Sequence, residues 1–423
     1  MLRFMAAATE ANVRRFAGHL LIGILLTAAG RVAAEAPGDW NLNDVSYLFP
    51  FPGEDQDDLG NWLSPVHSGK KGELLPRELF KILPTLMVSG PGNELLYSRG
   101  FRVVAMRFDP CPVEYTEDNC QSEIRLVWQP LLWDRKSRRW RAQDVAIHSF
   151  YRLNAQEFLA VRAALLVVKR MNQSWGINTA RVPLGVHPAF LHATRGPGFN
   201  QELQNLLLSF CGQENLFKIT FMSEFVPSQW WRFGGLEREG FSADRSCCWR
   251  PFTVPRLAET VQDVFNIAVE EGPLEESGQE VDTKITLLPV DYPQADLLSP
   301  LLDQQLRFND ERDLPIFADK LDAVERFRNP RWTHSSNLDC VACHYADAAQ
   351  FYAHRQFPKL ATRESAFSYR NPNRELYDLS RSAQTQHATR MLRAFGYFAD
   401  QPAVSQRVIH DSAESAEFLN QQQ

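Results

Sequence analysis

The sequence predicts an α+β fold in which an N-terminal antiparallel-sheet domain with packed helices precedes a mostly α-helical segment. Strand-like apolar stretches cluster in the first two thirds of the chain, around two stretches with helical periodicity. The strands and helices do not alternate regularly, which favours an antiparallel sheet over a parallel one. Beyond about residue 281, most apolar patterns have helical spacing. These three observations define the predicted architecture.

The N-terminal domain opens with an extended segment and continues with strands. Residues 37–75 are rich in Pro, Gly, Asp and Asn, and a short helix is predicted at "RELFKILPTLM". Apolar runs and apolar–polar alternation then predict strands at Phe101–Phe108, Glu123–Trp133 and Asp144–Leu153. His148 lies within the third of these strands, and we interpret it as a hydrogen-bonded residue of the sheet rather than a ligand.

Two helices and a further pair of strands complete the predicted domain. Ala155–Gln173 has apolar residues at helical spacing over about five turns. Phe199–Gly212 predicts a second helix, with Gly212 as its C-terminal cap. Strands are then expected at Asn215–Glu224 and Ser228–Glu237.

An acidic, apolar-poor stretch, Ala268–Gln279, predicts a linker between the two parts of the chain. The predicted domains are therefore an exported α+β domain at 35–280 and a helical domain at 281–423. Helical patterns in the second domain are found at Ala295–Phe308, Leu314–Pro330, Arg374–Phe398 and Pro402–Gln421.

Residues 1–34 predict a general secretory signal. Three early arginines precede an apolar run at Leu20–Ala29, and "RVAAEA" supplies small residues for cleavage. A short uncleaved anchor is the alternative.

Cleavage would remove four Arg and one Glu, changing the net charge from −6 to −6 − 3 = −9. That charge argues against nucleic acid or an anionic membrane surface as the partner. No run approaches the roughly 18 apolar residues of a membrane span, so the predicted mature protein is periplasmic or otherwise exported, with no integral span.

The stretch "NLDCVACHYADAAQFY" contains Cys340, Cys343 and His344 in the spacing C-x-x-C-H. With 7 Cys and 10 His in 423 residues, chance would produce roughly 0.003 such matches in a chain of this length. Two thiols three positions apart can each add to a haem vinyl group, and the adjacent imidazole can then bind the iron. Zinc, with His334 as a further ligand, a plain disulfide and a chance match are the alternatives.

This five-residue motif resembles the haem-attachment sequence of c-type cytochromes. The resemblance implies one covalent haem c, with Cys340 and Cys343 as thioethers and His344 as the proximal ligand. It also implies that residues 281–423 form a cytochrome c-like domain. Such domains usually bind the iron from the other side through Met or His, and Met391 is the preferred candidate here. His387, which shares a helical face with Met391, and an open position are the alternatives.

The remaining cysteines predict disulfides, because exported thiols tend to pair. Cys111 and Cys120 bracket a polar loop between two predicted strands, which is the arrangement of a bridge across a hairpin. Cys211 is expected to pair with Cys247 or Cys248.

The first domain contains no recognisable catalytic signature. The preferred function is therefore electron transfer by an exported monohaem c-type cytochrome with a fused partner-docking domain and a redox protein as partner. A haem-dependent enzyme or gas sensor with an open sixth position is one alternative. A haem-free secreted binding protein is another.

Overall fold

The computed structural model describes the greater part of the chain between residues 40 and 422. The described residues are 40–54, 59, 62–88, 90–111, 121–180, 182–225, 230–238, 249–251, 261–264, 268–270, 284–286, 314–333, 344, 347, 350, 365–370 and 394–422. The predicted signal at 1–34 and the predicted domain boundary at 280 lie outside these ranges.

Within these ranges, nine strands form one antiparallel sheet with the order β1-β4-β5-β7-β8-β9-β10, in which β6 pairs with β5 and β11 pairs with β9. Three two-stranded sheets, β2–β3, β12–β13 and β14–β15, accompany it. The strands are β1 Ser46–Leu48, β2 Ser68–Gly69, β3 Gly72–Glu73, β4 Phe101–Asp109, β5 Glu123–Asp134, β6 Arg139–Ala142, β7 Ala146–Arg152, β8 Leu216–Phe225, β9 Trp230–Arg238, β10 Trp249–Pro251, β11 Val261–Val264, β12 Ala268–Glu270, β13 Lys284–Thr286, β14 Phe395–Phe398 and β15 Gln401–Val404.

The helices begin and end with recognisable local chemistry. The longest is capped by Asn154, whose side chain accepts a hydrogen bond from the Glu157 amide while the Glu157 carboxylate accepts one from the Asn154 amide. Ser405 caps the last helix in the same way through the Val408 amide. The helices are α1 Leu42–Val45, α2 Arg77–Ile82, α3 Asn93–Leu95, α4 Ala155–Ser174, α5 Gly196–Phe210, α6 Leu314–Arg328 and α7 Gln406–Gln421.

One face of the sheet packs against α4 and α5 in the main hydrophobic core. Trp128 and Tyr151 are fully buried on this face. Phe108 stacks on Phe158 of α4 at 5.4 Å between ring centroids, and Tyr47 packs at 6.3 Å against Phe199 of α5. Because side chains alternate along a strand, the residues between these point to the opposite face.

The C-terminal part of the chain covers that opposite face. Helix α7 contacts it through Ser412, whose hydroxyl lies 2.7 Å from that of Ser46 in β1. The β14–β15 hairpin contacts it through Tyr397, whose amide donates to the Gln129 side chain at 2.7 Å and whose carbonyl accepts from it at 3.0 Å. Helices α4 and α5 on one face and the C-terminal part of the chain on the other thus enclose the sheet.

The α+β prediction with an antiparallel sheet is confirmed, and the predicted strands and helices between residues 77 and 238 agree closely with the observed ones. The helices predicted to reach Phe398 and to begin at Pro402 were wrong at those ends, because residues 395–404 form the β14–β15 hairpin.

The role predicted for Gly212 was also wrong. Helix α5 ends at Phe210 and is capped by Cys211. A side chain at Gly212 would bring its Cβ to 2.4 Å from the carbonyl oxygen of Lys71, so close backbone approach explains the glycine.

No helix among the described residues is both long and apolar enough to cross a membrane.

Candidate functional site

His148 is presented on the sheet face that the C-terminal part of the chain covers. It is the third residue of β7, opposite Val127 of β5 and Thr220 of β8. Tyr151, three residues along the same strand, is fully buried on the other face, where its hydroxyl donates to the Leu74 carbonyl at 2.7 Å. The register of three adjacent strands therefore fixes the direction of the His148 side chain.

His344, the histidine of the C-x-x-C-H motif, lies directly against His148. The ring centroids are 6.2 Å apart and the ring planes differ by 22°. His344 has helical conformation and is buried, with 8% of its surface exposed, whereas His148 keeps an intermediate share of its surface accessible. Two imidazoles that are 196 positions apart in sequence thus face each other at the centre of the fold.

The environment of His148 lowers its pKa well below the ordinary value. Burial is the largest cause, followed by the nearby His344 and by the positive charges of Arg125 and Arg107. The accessible part of the His148 surface does not offset these effects. His148 is therefore a neutral imidazole near pH 7, which is the form that binds metals.

His148 lies in the sheet as predicted, between Val127 and Thr220, but its ring nitrogens make no hydrogen bond to another residue that the structure describes. His410 of α7 is different. Its Nδ1 lies 2.8 Å from the Arg328 carbonyl oxygen and its Nε2 lies 2.9 Å from the Gln406 side chain. Burial lowers the pKa of His410 to about 3. Hydrogen bonds therefore occupy both nitrogens of His410, whereas the ring of His148 packs against that of His344.

A network of buried ion pairs lies on the same sheet face as His148. Arg107 of β4 contacts Asp411 of α7 at 2.6 Å and Asp109 at 3.3 Å, and Arg125 of β5 contacts Glu123 at 2.8 Å. Burial alone would lower the pKa of Arg107, but Asp411 and Asp109 raise it above the ordinary value. Burial would likewise raise the pKa of Asp411, but Arg107 and Arg407 lower it. The network fastens α7 to the sheet.

Asp347 fastens the turn that carries His344 to the neighbouring helices. It lies three residues after His344, one helical turn further along the same face. Its two carboxylate oxygens accept a hydrogen bond from Arg328 of α6 at 2.8 Å and one from the Gln406 amide at the start of α7 at 2.5 Å. A carboxylate at a helix N-terminus is favoured by the helix dipole. Asp347 and Asp411 thus connect His344 to the sheet through α7.

Phe150, two residues beyond His148 on the same face, lies between two cations. The guanidinium of Arg125 is 4.7 Å from the centre of the Phe150 ring, and the ammonium of Lys218 is 4.4 Å from it. Both contacts are within the range of cation–π attraction. The sheet face beside His148 therefore carries two cations packed against an aromatic ring.

The structure describes only part of the predicted site. His344 is described and buried, whereas Cys340, Cys343, His334, Met391 and His387 lie outside the described residues. Cys111 is disulfide-bonded, but its partner and Cys120 lie outside the described ranges. The Cys111–Cys120 bridge therefore stays a prediction.

The predicted pairing of Cys211 with Cys247 or Cys248 was wrong. Cys211 is a free thiol at the end of α5 and is fully buried in the core. Burial raises its pKa well above the ordinary value, so it remains protonated.

Sequence patterns did not assign His148, Arg107 or Asp411 to this site. Arg107 is buried within a mostly apolar strand, whereas His148 and Asp411 keep intermediate exposure. A charged residue is rarely buried without a partner, so the sequence carried a signal for Arg107 alone.

Among the described residues, no group of three or more His, Cys, Asp or Glu side chains could hold a metal ion. Two imidazoles alone do not complete the coordination of a bare ion. They are, however, a sufficient axial pair for an iron whose other four positions are filled by a porphyrin.

Comparison of the chain with models of protein families, with curated proteins and with solved structures finds no match.

Proposed function

We propose that the protein is an exported monohaem c-type cytochrome that transfers electrons to or from a redox protein. In this proposal, Cys340 and Cys343 carry the haem as thioethers and His344 is the proximal iron ligand. Residues 281–423 then form the haem-carrying, cytochrome c-like part of the chain, and the N-terminal α+β part docks the partner.

The position of His344 is the observation that carries this proposal. A chance C-x-x-C-H match would place no requirement on the surroundings of its histidine, since His is a side chain of intermediate burial. Here it is buried and faces a second imidazole whose low pKa keeps it neutral. Two opposed imidazoles suit an iron porphyrin, which takes axial ligands from two sides.

Haem iron, when bound, supplies a centre that accepts and releases one electron. The residues around His344 would keep the iron ligand in a fixed position. Asp347 fixes the turn that carries His344 through Arg328 and Gln406, and Asp411 fixes α7 to Arg107 of the sheet. A rigid ligand changes little between two oxidation states, so this arrangement favours electron transfer over a site that must open to bind a substrate.

The test is to produce the full chain in a host that attaches c-type haem. We expect a pyridine haemochrome spectrum and a mass gain of one haem that survives denaturation. Replacing Cys340 and Cys343 by Ser should abolish both, whereas Cys211→Ser should leave both unchanged. A haem-free protein containing stoichiometric zinc would refute the proposal.

The same preparation tests the export prediction. The purified protein should have a new N-terminus after residue 34 or 36. Retention of Met1 in a membrane fraction would contradict cleavage of the predicted signal.

A further inference from the structure

We infer that His148, from the central strand of the N-terminal sheet, is the sixth ligand of the haem iron. This inference rests on the proposed function and deepens it. It assigns the second axial position to the N-terminal part of the chain, in place of Met391 or His387 in the C-terminal part.

The separation of the two rings agrees with coordination of one iron between them. A metal–imidazole bond is about 2.0 Å long and the ring centroid lies roughly 1.15 Å behind the bonded nitrogen, so two axial imidazoles should have centroids about 6.3 Å apart. The observed separation of the His148 and His344 centroids is 6.2 Å. The side chains therefore stand at the spacing that a single coordinated iron requires.

The surroundings of the His148 ring also favour a ligand over a packing residue. Its nitrogens make no hydrogen bond to another described residue, whereas those of His410 are both occupied. The register of β5, β7 and β8 fixes its direction, and part of its surface stays accessible. A ligand held by a rigid sheet is preorganised, so iron binding costs little conformational entropy.

The chemical consequence is a six-coordinate, low-spin haem with two neutral imidazole ligands. A thioether ligand in place of one imidazole would raise the reduction potential. The 22° angle between the ring planes further predicts the rhombic electron paramagnetic resonance signal of near-parallel imidazoles, rather than the strongly anisotropic signal of perpendicular ones.

The experiment compares wild-type protein with three variants, each first shown by haemochrome assay to carry one haem. The wild type should be low-spin and should lack the weak near-infrared band of sulfur-to-iron(III) ligation. His148→Ala should convert the ferric haem to high-spin and allow the ferrous haem to bind carbon monoxide. Added imidazole should restore the low-spin spectrum, which a purely structural role for His148 would not explain.

His148→Met should raise the reduction potential and introduce the sulfur-to-iron band. This variant also tests the inference if the His148→Ala protein does not accumulate. His410→Ala is the matched control, since it removes a buried histidine on α7 and should leave the spin state unchanged.

A wild-type spectrum with the sulfur-to-iron band would assign the position to Met391 and overturn the inference. A haem that binds carbon monoxide before any substitution would also overturn it, by showing an open position. Both results leave covalent haem intact, whereas absence of haem from the wild type refutes the proposed function itself.

Discussion

Asp411→Asn removes the charge that fastens α7 to the sheet while preserving the shape of the side chain. The Arg107–Asp411 contact is 2.6 Å, and the two side chains are 5% and 12% exposed. Removing one partner of a buried pair destabilises a protein by about 3–5 kcal/mol, because the other charge stays buried without compensation. Arg107 keeps Asp109 at 3.3 Å, so we expect the lower end, about 3 kcal/mol.

Urea unfolding followed by tryptophan fluorescence at pH 7 measures this change as a lower midpoint with an unchanged slope. A double-mutant cycle with Arg107→Met isolates the pair, and the double variant should lose less than the sum of the two single losses. Glu94→Gln is the control, because it breaks the exposed Arg77–Glu94 pair and should leave the midpoint unchanged. Equal midpoints for Asp411→Asn and Glu94→Gln would refute the reasoning.

The same variant should change the pH dependence of stability. The folded pKa of Asp411 is lowered, since the charges of Arg107 and Arg407 outweigh the effect of burial. Its contribution is therefore fully present above the unfolded pKa of about 3.9 and is lost as the pH falls through the lower folded value. Wild-type stability should decline more steeply below about pH 4 than that of Asp411→Asn. Parallel curves for the two proteins would show that folding does not lower the pKa of Asp411.

Two further predictions concern the core at the end of α5. Cys211 is fully buried with a raised pKa, so a thiol reagent should label it only after unfolding; rapid labelling of Cys211 in the native protein, mapped by peptide mass, would contradict its position. Gly212→Ala should lower stability by about 1–3 kcal/mol, because its Cβ would meet the Lys71 carbonyl oxygen at 2.4 Å. Gly198→Ala in α5 is the matched control, since nothing lies within 4 Å of its Cβ, and it should be neutral or slightly stabilising in thermal unfolding.

The sheet could be predicted because its strands are long and locally consistent. Strands such as β5 and β7 carry apolar runs or alternation over seven or more residues, which determines their type without reference to the rest of the fold. The β14–β15 hairpin could not be predicted in this way. Each strand has four residues, and its two-residue turn places Ala399 at a φ of +54°, where Gly or Asn would have indicated a hairpin. Contacts of Tyr397 with Gln129 and Phe49 stabilise the hairpin instead.

The motif half of the candidate site stays a prediction, and it could be made because its chemistry is contained in five consecutive residues. His148 was not predicted as a ligand, because a histidine in a strand has no local pattern that distinguishes a ligand from a packed residue. The role that we infer for it depends on the register of β7 within the sheet and on the position of α7. Such information arises only when distant segments meet, so single-sequence periodicity cannot supply it.

The arrangement of these residues bears on how the two parts of the chain depend on each other. His148 and His344 come from the parts expected to be separate domains, and the contacts that align them also cross between those parts. Arg107 binds Asp411, Gln129 binds Tyr397, and the Trp40 amide donates to Asn420 at 2.8 Å. A haem held on one side by His344 and on the other by His148 would add a further connection of the same kind. The N-terminal sheet would then do more than dock a partner: it would set the ligation and the reduction potential of the haem carried by the C-terminal part.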